Sequence, residues 1–170
     1  FDLNDLNKSG LLSLKPKIYV CNVDEESIKN GNKYTNDFTK KFGKKNTIII
    51  TGGAGFVGSN LIFLLLKKTN FKIISLDNYS SGTKKNHVPN KRVKYIKCHT
   101  KNISKKLSKY KDKIHSLFHF GEFARIYQSF LKMDECINSN TIGTNAVFNF
   151  CLSNNIKLIY SATSATIGNK

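Results

Sequence analysis

The chain has 170 residues, 39% of them hydrophobic, with 28 basic against 11 acidic side chains and a formal charge of +17. That length supports a single domain with a real core. No apolar run is long enough to cross a bilayer, and the start Phe1-Asp2-Leu3-Asn4 has neither a basic nor an apolar stretch, so no membrane partner and no secretion are expected, and a cytoplasmic location is.

The positive charge invites a nucleic-acid partner, because a basic surface gathers phosphate backbones. The lysines are, however, spread along the chain and not interleaved with aromatic stacking platforms. They read as solvated faces, and no nucleic-acid partner is expected. Cys21, Cys98, Cys136 and Cys151 lack C-x-x-C spacing and a nearby histidine pair, so free thiols are expected and no metal site.

Two regimes follow in chain order. Residues 1–45 are polar and turn-rich, with one apolar run, Ile18-Tyr19-Val20-Cys21, of strand length. Ordering a residue costs about 1–2 kcal/mol, and one short strand offsets little of that over a long polar stretch. The segment is therefore expected to be poorly structured, or to add an edge strand.

From Asn46 onward apolar strands alternate with helical stretches, the pattern of βαβ units on a parallel sheet. Strands are predicted at Thr47–Thr51, Lys72–Leu76, Val93–Lys97, Ser116–Phe120 and Leu158–Ser161. Helices are predicted at Phe56–Lys68 and Ser104–Tyr110, with Ser129–Ser153 as one long helix or a broken pair. The fold class is α/β, a Rossmann-like doubly wound sheet of order 3-2-1-4-5, truncated at its C-terminal end. Its ligand crevice is expected where the winding reverses, which sets Gly52–Gly58 beside Phe120-Gly121-Glu122.

The loop Thr51-Gly52-Gly53-Ala54-Gly55-Phe56-Val57-Gly58 follows the strand Ile48-Ile49-Ile50 and opens an apolar helix. Gly52 suits a tight turn, Gly55 a close approach to a pyrophosphate, and Gly58 close packing of helix on strand. The free N–H groups at the helix start attract the phosphates. Asp77 ends the second strand about twenty residues past Gly58, where a carboxylate accepts both ribose hydroxyls of an adenosine and repels a 2′-phosphate. Asn78 follows in place of an arginine, which favours NAD over NADP, although Lys84 and Lys85 soften that preference.

With these residues in hand, the stretch from Asn46 to Lys170 resembles the extended short-chain dehydrogenases, the NAD-dependent epimerase/dehydratase family acting on nucleotide sugars. Further matches run in order: Leu76-Asp77-Asn78-Tyr79-Ser80-Ser81-Gly82, His119-Phe120, Asn140-Thr141-Ile142-Gly143-Thr144-Asn145 and Tyr160-Ser161-Ala162-Thr163. The resemblance implies that Asn102-Ile103 lies beside the adenine, with an amide where the family has an acid. It also implies that Phe120 and Gly121 border the cofactor, and that the Thr163 hydroxyl hydrogen-bonds the sugar hydroxyl being oxidised. Glu122 stands where relatives often have a small residue, and either meets substrate hydroxyls or faces solvent. Ala124 replaces the lysine of some UDP-galactose epimerases, and Ile167-Gly168 the usual Tyr-Gly.

The family's base is a tyrosine followed four residues later by a lysine. No such Tyr-x-x-x-Lys pair follows Thr163 before Lys170. The 170 residues alone are therefore expected to bind NAD weakly at best and not to turn over, and the complete enzyme to be a homodimer. The leading reading is the N-terminal part of a nucleotide-sugar epimerase or dehydratase; the alternatives are a non-catalytic dinucleotide-binding module and a chimeric fragment without activity. The chimera arises because Leu11–Ser27 and Gly31–Gly43 resemble an internal piece of an Obg-like P-loop ATPase, with Asn22 and Glu25 at its base-reading motif but no phosphate loop.

Overall fold

The computed structural model describes residues 45–162. The Ile18–Cys21 strand, Asn22, Glu25, Thr163 and Ile167-Gly168 lie outside the described residues.

β1 (Thr47–Thr51) is buried along its whole length. Successive side chains of a strand point to opposite faces, so Ile49 joins one core while Ile48 and Ile50 join the other. A strand apolar on both faces needs cover on both faces, as in a parallel sheet wrapped by helices. It pairs in parallel with β2 (Lys72–Asp77) on one edge and β4 (Ile114–His119) on the other. β3 (Val93–Lys97) and β5 (Lys157–Tyr160) complete the order β3-β2-β1-β4-β5, the predicted one. Both edge strands are only partly buried.

α1 (Phe56–Lys68) covers the face of Ile48 and Ile50 through Ile62, with Leu61, Leu65 and Leu66 packed around it. On its far end Lys67 and Lys68 complement the helix dipole, and the Arg92 guanidinium donates to the free carbonyls of Leu66 and Thr69. The opposite face is covered by α2 (Ile103–Leu107) and α5 (Thr144–Ser153), whose Ile103, Leu107, Val147, Phe150 and Cys151 meet Ile49, Leu76, Ile114 and Leu117. Cys98, Cys136 and Cys151 are free thiols, and burial pushes that of Cys151 up to about 11.

Element boundaries differ from the predicted ones where irregular backbone intervenes. α2 continues as a 3₁₀ turn over Ser108–Lys113, so β4 begins at Ile114, and Phe120 belongs to the loop beyond it. The predicted Ser129–Ser153 helix is broken. It begins as α3 (Ile126–Leu131), bends at Lys132 with φ −134° and ψ 49°, and resumes as α4 (Met133–Ile137). A π-helical stretch over Asn138–Gly143 then leads into α5. At that stretch the backbone crosses the 3₁₀ turn Thr100–Asn102 so closely that a Cβ on Gly143 would lie 2.1 Å from Thr100 Oγ1.

The loop leaving β1 is set by crowding. Gly52 has φ +70°, and a Cβ there would fall 2.6 Å from the Phe120 carbonyl oxygen; a Cβ on Gly58 would fall 2.3 Å from that of Gly52. Gly55 is different: its Cβ would meet only the Gly52 oxygen, at 3.2 Å. Gly58→Ala is therefore expected to lower the urea midpoint by the equivalent of about 1–3 kcal/mol, and Gly55→Ala to lower it by less. Equal losses in urea denaturation would show that this crowding does not govern the loop.

Candidate functional site

A cleft opens at the carboxyl ends of the strands, lined by Gly52 and Gly55 of the glycine loop, by Asp77 and Gly82, and by Phe120, Gly121, Glu122 and Ser139. It lies where the winding of an α/β sheet reverses, the general position for ligands in such folds.

The Asp77 carboxylate is 8% exposed and held at both oxygens. Oδ2 accepts from the Ala54 N–H at 2.9 Å and Oδ1 from the Tyr79 N–H at 2.8 Å. Tyr79 reaches it with φ +63°, an uncommon conformation for a residue with a side chain. The same loop is tied to the glycine loop by the Thr83 N–H and the Asn86 amide, both donating to the Ala54 carbonyl. Each carboxylate oxygen keeps a further acceptor position. Space beside them stays open because residue 82 is glycine, whose Cβ would come within 3.0 Å of both oxygens. At the start of α1, Gly55 offers no side-chain cap and the first turn holds no acid. The first N–H groups of that helix are thus free to meet an anion. Open donors, a glycine-lined approach and a fixed carboxylate fit the pyrophosphate and ribose of a dinucleotide.

On the other side of β1 a hydrogen-bonded chain runs through the sheet. Thr51 Oγ1 accepts from the N–H groups of Phe120 and Gly121 at 3.2 and 3.1 Å. Its own proton is left for Nδ1 of His119, 2.6 Å away. Nε2 of that ring therefore carries hydrogen and donates to Thr144 Oγ1 at 3.1 Å. The Thr144 hydroxyl donates to Glu122 Oε1 at 2.9 Å, and the Tyr160 hydroxyl donates to the same oxygen at 2.8 Å. Asn140 clamps the backbone beside it, accepting from the Phe123 N–H and donating to the Phe123 carbonyl. The bond to Glu122 holds the Tyr160 phenol above its usual range, so it serves as a donor. Burial lowers the His119 imidazole, against a smaller opposing pull from Glu122.

Several of the predicted contacts fall in the cleft: Gly52, Gly55, Asp77, Asn78, Phe120, Gly121 and Glu122. The Asn78 amide oxygen accepts from the backbone and hydroxyl of Ser80, so it orders its own loop. Others lie elsewhere. Phe56 and Val57 are 81% and 57% exposed and have only backbone N–H groups to offer, while Gly58 packs beneath the loop. Asn102 is exposed and its side chain caps nothing. Ile103 turns its side chain into the core, where it is fully buried, and its N–H goes to the Thr100 carbonyl. Residues that sequence reasoning did not single out for the site are Ser80, Ser81, Gly82, Cys98, Thr100 and Ser139. The small polar run after Asp77 was the available signal for the first three. Ser139 had none, because its position depends on the π-helical stretch.

Residues 48–170 match the NAD dependent epimerase/dehydratase family. The bifunctional protein GAL10 of Candida maltosa is 30% identical over an alignment that covers 70% of this chain and 82% of that relative. A dTDP-D-glucose 4,6-dehydratase of Dictyostelium discoideum is 33% identical over 71% of this chain and 30% of its own length. Among solved structures, a UDP-N-acetylglucosamine 4-epimerase from Methanobrevibacter ruminantium in complex with UDP-N-acetylmuramic acid superposes with a TM-score of 0.63 at 30% identity. That likeness covers 74% of this chain and 40% of the other. The chain thus spans well under half the length of the dehydratase and of the solved epimerase. Among the described residues no helix is long and apolar enough to cross a membrane.

Because the folded chain disfavours protonated His119, its contribution to stability is whole above the unfolded imidazole value of about 6.5 and is lost as pH falls below it. NMR of the ring is expected to show the Nε2–H tautomer and a midpoint below about 6.5. A midpoint above that value would contradict the effect assigned to burial, and the Nδ1–H tautomer would contradict the hydrogen-bond directions given above.

Proposed function

Since the chain belongs to the NAD dependent epimerase/dehydratase family, we propose that residues 46–170 are the cofactor-binding domain of a nucleotide-sugar epimerase or dehydratase. NAD, when bound, supplies a transient acceptor for hydride from a sugar carbon. The observation that carries this reading is the Asp77 carboxylate, fixed by two backbone N–H groups and left open by Gly82, beside an uncapped helix start.

In this reading the first N–H groups of α1 bind the pyrophosphate, and Gly55 lets it approach. Asp77 accepts the adenosine ribose hydroxyls and disfavours a 2′-phosphate, so NAD is preferred to NADP. The exposed Asn102 lies near the adenine, where its amide accepts the exocyclic amino group. Thr163 hydrogen-bonds the sugar hydroxyl that is oxidised and helps its proton leave. The relatives named as epimerases and dehydratases give the substrate class, a nucleotide sugar. A homodimeric complete enzyme in the cytoplasm belongs to the same proposal.

NAD is expected to raise the melting temperature of the chain in a thermal-shift titration, with NADP raising it less. Gly55→Val, which fills the phosphate approach, and Asp77→Ala, which removes the ribose acceptor, are each expected to abolish most of the shift. An unchanged melting temperature at millimolar NAD, or an undiminished shift in Gly55→Val, would overturn the assignment.

A further inference from the structure

The sheet order puts β2 and β4 on opposite edges of β1. Consequently the two carboxylates that line the cleft, Asp77 at the end of β2 and Glu122 after β4, stand on opposite sides of the glycine loop. A dinucleotide has the same arrangement: two riboses, each a vicinal diol, on either side of one pyrophosphate. With the pyrophosphate over Gly52–Gly55 and the adenosine ribose at Asp77, the second ribose runs toward β4.

Glu122 stands on that side with its carboxylate held. Its Oε1 is taken by the Thr144 and Tyr160 hydroxyls, which fix the direction of the carboxylate. Thr144 is in turn held by the buried His119, which is anchored on Thr51 at the root of the glycine loop. Among the described residues Oε2 takes no hydrogen bond, and the residue is partly exposed to the cleft. A carboxylate oriented by two hydroxyls at one oxygen presents the other as a strong acceptor, and bonds to charged groups are about twice as strong as neutral ones. Resting on the NAD reading above, we infer that Glu122 binds the hydroxyls of the second ribose, so that this chain grips its dinucleotide by a carboxylate at each end.

Calorimetric titration of the full chain with NAD, ADP-ribose and AMP tests this, because AMP lacks the second ribose. Glu122→Ala is expected to weaken NAD and ADP-ribose about tenfold or more and to leave AMP unchanged. Glu122→Gln, whose amide oxygen still accepts from Thr144 and Tyr160, is expected to lose less. Asp77→Asn is expected to weaken all three ligands. If the unsubstituted chain binds none of them, the NAD reading itself fails. If it binds NAD while Glu122→Ala either binds NAD normally or loses AMP equally, Glu122 only supports the fold and the second-ribose assignment is wrong.

Discussion

The carboxyl edge of this sheet depends on β1 being paired on both sides and buried on both faces. A strand so enclosed has no lateral exit. The chain leaves it at Thr51, turns through a positive φ at Gly52 under the Phe120 carbonyl, and starts α1 within a few residues. That turn brings the uncapped N–H groups of the helix to the top of the sheet. The strands on either side end at the same level, so their last residues flank the turn. Asp77 on one side and Phe120-Gly121-Glu122 on the other are placed by pairing register before any ligand is considered.

Two hydrogen-bond systems hold these flanks, and they differ in kind. On the β2 side a carboxylate is pinned by backbone N–H groups, so its geometry follows from loop conformation alone. On the β4 side the order comes from side chains donating hydrogen bonds in one direction, from Thr51 to His119 to Thr144 to Glu122. A buried polar system of this sort stabilises only if each member is satisfied. It is one reason a histidine with no exposed surface is tolerated in the middle of the sheet.

Much of this was legible in the sequence because the signals are local. Ile48-Ile49-Ile50 followed by a glycine loop and an apolar helix announces a parallel strand and its crossover, and the register that follows puts Asp77 at a strand end. What escaped depends on contacts between distant segments. Ile103 sits next to an exposed amide, yet its side chain is drawn into the core with Leu107 and Val147. Of the two alternatives for Ser129–Ser153 the broken one holds, but the place of the bend at Lys132 was not marked, and the π-helical turn that brings Ser139 to the cleft arises where Gly143 crosses Thr100. Glu122 was visible as an unusual residue, but its two hydroxyl partners come from α5 and β5 and no spacing rule links them.

The central claim is that one dinucleotide spans the cleft from β2 to β4 across the glycine loop. Mapping backbone amide shifts of the full chain by ¹⁵N NMR during NAD titration tests it most directly. The account requires perturbations at the loop from Gly52 to Gly58, around Asp77 on one side, and at Gly121 and Glu122 on the other. Saturating shifts confined to the opposite edge of the sheet, around Lys72, Arg92 and Tyr110, or no shifts at all, would contradict it.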